Sequence, residues 1–356
     1  MNQIVKILIA VISACFAIVL VYFLISKVNN FEHEHPKDIA LKVNESHVQN
    51  EALKSKFINN FNENSQGVME TTKRPADSPE SLKMHKNFKL FNNERCGVHT
   101  GVHKIHNGKE TELKANPWMV AIVYFNEKTN TTSVDCAGTL ISENLVLTAA
   151  HCLQSKTPIA VRLGDYNLAS DPDCVTNNDN KIECAEKVQE ITNFTLKRHE
   201  HHWRQVFEDI ALIKLNEPAK LHQENINTIC LPFAQDNVSV DDVFYITGWG
   251  RIDNNNTFSN VLLGTYVDYV THEDCRKSIS STLTKGHICA GSEDGSDSCR
   301  GDSGGPLTQL RYLDEKIRAV QYGIVSYGPK GDCGKGPGVY TNVHRYLQWI
   351  LNNADL

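Results

Sequence analysis

The chain lacks a basic excess. Its 36 Lys and Arg are outnumbered by 42 Asp and Glu, giving a net charge of −6. That balance is too mild and too acidic for nucleic acid as a main partner. Cysteine is missing from residues 28–95, which also hold few aromatics. A disulfide-built module is therefore excluded from that stretch. Dense Asn, Glu, Lys and Ser, as in VNESHVQNEALKSKFINNFNENSQ and TTKRPADSPESLK, bury too little apolar surface to offset the entropy of ordering. Residues 28–104 read as a largely flexible pro-segment or linker, with a short helix near 48–61. Helical periodicity is scarce beyond residue 105. Only VHRYLQWILNNA shows it, with Val343, Tyr346, Leu347 and Ile350 on one face. RHEHHWR at 198–204 resembles a metal cluster but has no second ligand set at a known spacing, and reads as a solvated loop.

What is present begins with a targeting segment. Ile7 to Ile25 is an uncharged run in which only Ser13 and Tyr22 carry a polar side-chain group, with Lys6 before it and Lys27 after it. It is longer than the roughly 7–15 residues of a signal-peptide core and close to the roughly 20 of a membrane helix. Residues 1–27 are a signal peptide or a signal anchor, and both place the rest of the chain outside the cytosol. Of eleven cysteines, Cys15 lies in that run. The other ten form an even set in an oxidising setting, so five bridges are expected, with connectivity open at this point. Five N-x-S/T acceptors, Asn44, Asn130, Asn193, Asn237 and Asn255, fit a secreted glycoprotein.

From about residue 105 the texture changes. Short β-rich runs (WMVAIVYF, TLISENLVLTAA, AVRLGDY, IALIKL, VFYITGWG, AVQYGIVSY) alternate with Asn, Asp, Gly and Pro. Such spacing predicts an all-β sandwich or barrel arrangement, and residues 105–356 are enough for two small barrels.

Three polar groups stand out within this part. His151 ends LVLTAAHC, Asp209 opens DIALIKL, and Ser303 lies between glycines in GDSGGP. A hydroxyl is a weak nucleophile unless a base takes its proton. A neutral imidazole suits that task, and a buried carboxylate can fix its tautomer and stabilise its cation. Together, TAAHC (148–152), DIALIKL (209–215), GWG (248–250) and GDSGGP (301–306) resemble the trypsin/chymotrypsin family of serine endopeptidases over roughly 105–356.

The resemblance implies two antiparallel six-stranded β-barrels with the triad between them, and a C-terminal helix at about 343–354. Barrel one would span about 105–225 and barrel two about 226–345. It implies an oxyanion hole from the backbone N–H groups of Gly301 and Ser303. Asp297 would lie at the base of the substrate pocket, with Ser298 beside it. Gly328 and Gly338 would keep that pocket open, and Ser326, Tyr327 and Gly328 would pair with the substrate backbone. An acid there favours a long cation, so cleavage after Arg or Lys is expected. Arg300 at the rim would disfavour basic residues after the scissile bond. Asp302, an inward acid, needs a cation. The family supplies one by proteolysis, and cleavage after Lys104 in KIHNG would free the amino group of Ile105. The family more often has valine and two glycines after that Ile, where this chain has His106, Asn107 and Gly108.

Bridges implied by resemblance are Cys136–Cys152, Cys275–Cys289, Cys299–Cys333 and Cys96–Cys230, the last tying the pro-segment to the catalytic domain. Cys174 and Cys184 form a local loop, an extra bridge similar to that of arthropod easter-type, clip-bearing cascade proteases. The clip module itself is missing from residues 28–95. Asp165, Asn167 and Asp173 lie in a loop where relatives can hold a structural calcium through oxygen ligands, although the stretch reads first as an ordinary polar loop; no cofactor is expected for catalysis. The expectation is a secreted zymogen in a regulated immune or developmental cascade. Its partners would be protein substrates, an upstream trypsin-like activator and a serpin-type inhibitor. The alternatives are an inactive homologue acting as a binding adaptor, and a surface protease anchored through Ile7–Ile25.

Overall fold

The computed structural model describes residues 78–91, 95–98 and 109–355, apart from 155, 178, 203–206, 234–237, 253–256, 280–281, 294, 296 and 330–332. The chain divides into Met1–Lys73 and Arg74–Leu356, and every described residue belongs to the second unit. Ile7–Ile25, the helix expected near 48–61, Lys104, Ile105, Asn44, Asn237 and Asn255 lie outside the described residues. Among the described residues no helix is long and apolar enough to cross a membrane.

The β-rich runs become strands because their apolar side chains can be buried on a pleated surface. They are β1 (Lys109–Glu110), β2 (Met119–Asn126), β3 (Thr131–Ser142), β4 (Leu145–Thr148) and β5 (Pro158–Leu163). A short hairpin follows, β6 (Cys174–Thr176) and β7 (Ile182–Cys184), then β8 (Gln189–Ile191), β9 (Phe194–Arg198) and β10 (Ala211–Leu215). The second half holds β11 (Val243–Gly248), β12 (Leu263–Val270), β13 (His287–Gly291), β14 (Pro306–Leu313), β15 (Lys316–Tyr327) and β16 (Gly338–Asn342).

The first sheet runs β8-β5-β2-β3-β4-β10-β9, all antiparallel. Its two edges are halves of one bent strand, because only Thr192 and Asn193 separate β8 from β9. The first half pairs with β5 and the second with β10, so residues 189–198 close the barrel by changing partners. Barrel one thus has six strands in effect. The second sheet runs β12-β11-β14-β15-β16-β13 and closes through a β12–β13 ladder, with β1 added at its edge. The fold is all-β with two barrels of the chymotrypsin type. Lys109–Glu110, assigned above to barrel one, pairs instead with Gly264 and Leu263 of barrel two.

Two registers position the site. β10 pairs with β4 so that Ala211 faces Thr148, bringing the segment just after Asp209 beside the segment just before His151. Ala137 N donates to Ser303 O (2.8 Å) and Gly304 N to Val325 O (2.9 Å), which fixes the Ser303 loop between the two barrels.

The largest departure from the sequence reading concerns residues 78–98, expected to be flexible. Helix α1 (Pro79–Lys83) starts with a Ser78 cap accepting from Ser81 N, and Leu82 and Phe91 are each only 2% exposed. Phe88 meets Phe233 edge-on at 4.9 Å, and Asn87 donates to Leu351 O. A polar composition hid two well-spaced apolar anchors. The α2 helix is a single turn (His272–Cys275), and the C-terminal segment is a 3₁₀ turn (Val343–Tyr346) leading into α3 (Leu347–Asn352). Val343, Leu347, Ile350 and Leu351 share one core with barrel one and with Leu82 and Phe91. Phe91→Ala in the whole chain is therefore expected to cost about 3–5 kcal/mol of stability. An unchanged denaturation midpoint would show the segment to be merely tethered by Cys96.

Candidate active site

His151 sits in a 3₁₀ turn, Ala150–Leu153, that ends strand β4. Cys136–Cys152 pins this turn to β3. Asp209, fully buried, points at it from the start of β10. One carboxylate oxygen accepts from His151 N at 2.9 Å and the other lies 2.7 Å from His151 Nδ1. Ser326 Oγ donates to the same oxygen at 2.5 Å, and Thr341 Oγ1 donates to the Asp209 carbonyl at 2.8 Å. Burial opposes a charge on His151, but the Asp209 hydrogen bond and charge outweigh it and hold its pKa above the ordinary value. Burial likewise disfavours the Asp209 carboxylate, yet its donors from His151 and Ser326 keep its pKa low. The pair is thus a carboxylate beside an imidazole poised to take a proton.

Ser303 occupies the turn that follows Asp302. Among the described residues its hydroxyl makes no hydrogen bond to His151, a link that commonly tightens only when substrate is bound. The backbone around it is more telling. Asp302, Gly304 and Gly305 N–H are all used, by Cys299 O, Val325 O and Asp302 O. The N–H groups of Gly301 and Ser303 have no partner among the described residues. Gly301 holds φ at +98°, a conformation that side-chain-bearing residues rarely adopt. The result is two free donors beside one hydroxyl, which is what developing oxyanion charge requires.

The Asp302 side chain turns away from these donors. Its oxygens accept from Gly250 N and Cys299 N, each at 2.8 Å. A Cβ on Gly248 or Gly250 would fall 2.0 or 2.3 Å from its carboxylate oxygens, so the two glycines of GWG exist to admit this acid. Burial pushes its pKa up to about 6 against those two N–H donors. Both of these donors are backbone N–H groups, and the carboxylate lines a cavity of about 180 Å³ with Ile246, Leu263, Val325 and Arg251.

Asp297 also lines that cavity and borders the substrate-pocket elements. Burial raises its pKa to about 7, opposed by Ser298 N–H and the Tyr340 hydroxyl. Ser298 N donates to Asp297 Oδ1 at 2.7 Å, and Ser298 Oγ lies 3.2 Å from Tyr340 OH. A Cβ on Gly338 would come within 3.0 Å of Asp297 Oδ1, whereas at Gly328 it would enter open space. The loops are clamped by Cys299–Cys333.

With this geometry in hand, comparison with known proteins is decisive. The Trypsin family model matches residues 105–350. The chain belongs to the trypsin family of serine proteases. Melanization protease 1 of Drosophila melanogaster is 34% identical over 274 residues, 73% of this chain and 67% of that protein. Serine protease grass of the same fly is 34% identical over 282 residues, 75% and 72% of the two chains. The crystal structure of the Drosophila Grass clip serine protease of the Toll pathway is 33% identical with a TM-score of 0.66, covering 75% of this chain and 77% of that one.

In this trypsin-family member the Ser326 side chain donates to Asp209, a role additional to the substrate-backbone pairing expected of Ser326, Tyr327 and Gly328. Serine at that position gave no sign of it, because the partner lies 117 residues away. Of the three candidate calcium ligands, two are occupied by neighbouring donors. Asp173 already accepts from Tyr166 N, Asn167 N and Ser170 Oγ, and Asn167 Oδ1 accepts from Ala169 N. Asp165 pairs with Arg162 Nε at 2.9 Å. The loop's own donors thus occupy Asp173 and Asn167, while the buried Asp165 carboxyl is pushed up to about 7 by burial, against the pull of Arg162. RHEHHWR is not a solvated loop throughout: His202 is buried, while His199 stacks near Tyr346 and Trp349. His199 also meets His201 edge-on at 5.6 Å, while His202 turns inward to Phe207 O and Gln154. The one histidine–cysteine group with metal-like spacing among the described residues, Cys136, His151 and Cys152, is ruled out by the disulfide.

The five disulfides pair Cys96 with Cys230, Cys136 with Cys152, Cys174 with Cys184, Cys275 with Cys289 and Cys299 with Cys333. Asn130 and Asn193 are exposed, Asn130 at the β2–β3 turn, and Arg300 is exposed beside the pocket.

Proposed function

We propose that the protein is a trypsin-like endopeptidase made as an inactive precursor, with Ser303 as nucleophile, His151 as base and acid, and Asp209 as orienter. Ser303 Oγ attacks the scissile carbonyl carbon and its proton passes to His151 Nε2. The Gly301 and Ser303 N–H groups take the oxyanion. Collapse of the tetrahedral species expels the amine, which leaves with the proton from His151. Water then repeats the sequence on the acyl-enzyme, using the same imidazole. The observation that carries this reading is the buried Asp209–His151 pair facing a serine flanked by two unpartnered N–H donors.

Asp302 and its cavity form the activation switch. A recess of about 180 Å³ that combines the Asp302 carboxylate with the apolar side chains of Ile246, Leu263 and Val325 suits an aliphatic side chain with a free amino group. Cleavage after Lys104 supplies both in Ile105. The substrate classes are Arg and Lys peptides, selected by Asp297 with Ser298, Ser326–Gly328 and Gly338 around them. Action outside the cell in a proteolytic cascade, with an upstream trypsin-like activator and a serpin-type inhibitor, fits relatives named for melanization and the Toll pathway. Cleaving the precursor with a trypsin-like protease, sequencing the new N-terminus and profiling peptide hydrolysis tests the reading. A start other than Ile105 in active enzyme would sink the activation assignment.

The raised pKa of Asp297 gives a pH prediction. A cationic ligand binds the carboxylate, so below about pH 7 binding must first expel a proton. Benzamidine affinity is expected to fall as pH drops, by about tenfold per unit well below that pKa. Buffer-dependent calorimetry should show proton release at pH 6 and almost none at pH 8.5. Binding without proton linkage at pH 6 would remove Asp297 from the pocket.

A further inference from the structure

RHEHHWR contributes one residue that the triad chemistry does not use. His202 has a side chain with no exposed surface. Its Nδ1 lies 3.1 Å from Phe207 O, and its Nε2 lies 3.2 Å from the side-chain amide of Gln154. Gln154 caps the turn that carries His151, donating its N–H to His151 O at 3.2 Å. Phe207 stands two residues before Asp209. One imidazole therefore spans the two turns that bring the triad histidine and aspartate together.

The Asp209 turn needs such a brace. Glu208, between Phe207 and Asp209, holds φ at +48°, in the left-handed region that side-chain-bearing residues enter only when surrounding contacts over-determine them. Ile210 N closes the turn onto Glu208 O at 2.8 Å. His202 pins the carbonyl on the near side of Glu208. On the far side, Thr341 pins the Asp209 carbonyl. Further anchoring comes from His202 N donating to His199 O and His199 N donating to Ile210 O. His202 Nδ1 is 3.8 Å from Asp209 Oδ1, close enough to shut water out of that side. It leaves the carboxylate oxygens to His151 and Ser326.

We propose that His202 is a positioning residue that locks the His151 turn to the Asp209 turn and so sets the distance and dryness of their hydrogen bond. The inference rests on the reading of His151, Asp209 and Ser303 as a catalytic triad. A buried, preorganised donor pair is worth more than a solvated one, and small misplacements of catalytic groups are costly in rate. The effect of losing His202 should therefore appear in kcat and in the acid limb of the pH profile, with little change in KM.

The test uses the full chain, cleaved to active enzyme. Active sites are counted by the burst of an acylating ester, so that rates refer to acylatable sites only. His202→Leu, which removes both contacts, is expected to lower kcat about tenfold on an Arg peptide and to displace the acid limb. His202→Asn, whose amide can still reach Phe207 O, should recover most of the loss. Gln154→Ala cuts the other end at an exposed position, so its fold is secure. It should lower kcat in the same direction by about threefold. Unchanged kcat and acid limb in His202→Leu would overturn the inference. If His202→Leu does not fold, an unchanged kcat in Gln154→Ala overturns it. Wild-type enzyme that cannot be acylated at all would overturn the triad reading itself.

Discussion

Ser303→Ala should lower kcat of the cleaved enzyme by on the order of 10⁶-fold while leaving benzamidine affinity unchanged. The size follows from how the site is built. Without the hydroxyl no acyl-enzyme forms, and what remains is binding plus the Gly301 and residue 303 donors. That remnant supports roughly 10³–10⁴-fold catalysis over water. His151→Ala should cost about as much, and the double variant little more, because the two act as one unit. Additive losses would mean that Ser303 and His151 work independently, which the shared geometry around Asp209 denies. Asp209→Asn should cost about 10⁴-fold, since it presents the wrong hydrogen-bonding face to His151 Nδ1.

Asp297→Ser should cut kcat/KM on Arg peptides by about 10³–10⁵-fold and leave peptides with small apolar side chains at that position nearly untouched. A guanidinium in a partly buried pocket without a counter-charge keeps its desolvation cost and loses its compensation. The pocket's other polar groups, Ser298 and the Tyr340 hydroxyl, bond chiefly to Asp297 and to each other. They cannot replace the charge. Retained activity on Arg substrates would place the selecting residue elsewhere.

The two β-barrels and the meeting of His151 with Asp209 were readable in the linear chain because short motifs carry them: TAAHC, DIALIKL and GDSGGP each combine a reactive residue with its local turn or strand. What escaped reading depends on contacts between distant segments. Ser326 offered no local sign of its bond to Asp209. Gly248 and Gly250 were recognised as a motif, but their task became clear only when Asp302 was found against them. Residues 78–98 looked flexible because average polarity outweighs two buried side chains, Leu82 and Phe91. Asp165, Asn167 and Asp173 are the right residue types, but two of them are consumed by neighbouring N–H and O–H donors. RHEHHWR read as a solvated loop because its composition is polar, which hid the one inward-facing side chain, His202.

The proposed switch makes the reactivity of Ser303 depend on an amino group made by cutting after Lys104. A phosphonate probe with an Arg-like recognition group, applied to the full chain before and after cleavage, tests it most directly. The account predicts labelling of Ser303 only in protein whose heavy chain begins at Ile105, and none in a Lys104→Gln variant exposed to the same activating protease. Equal labelling of the uncut chain would contradict it, as would cleaved protein starting at Ile105 that takes no label.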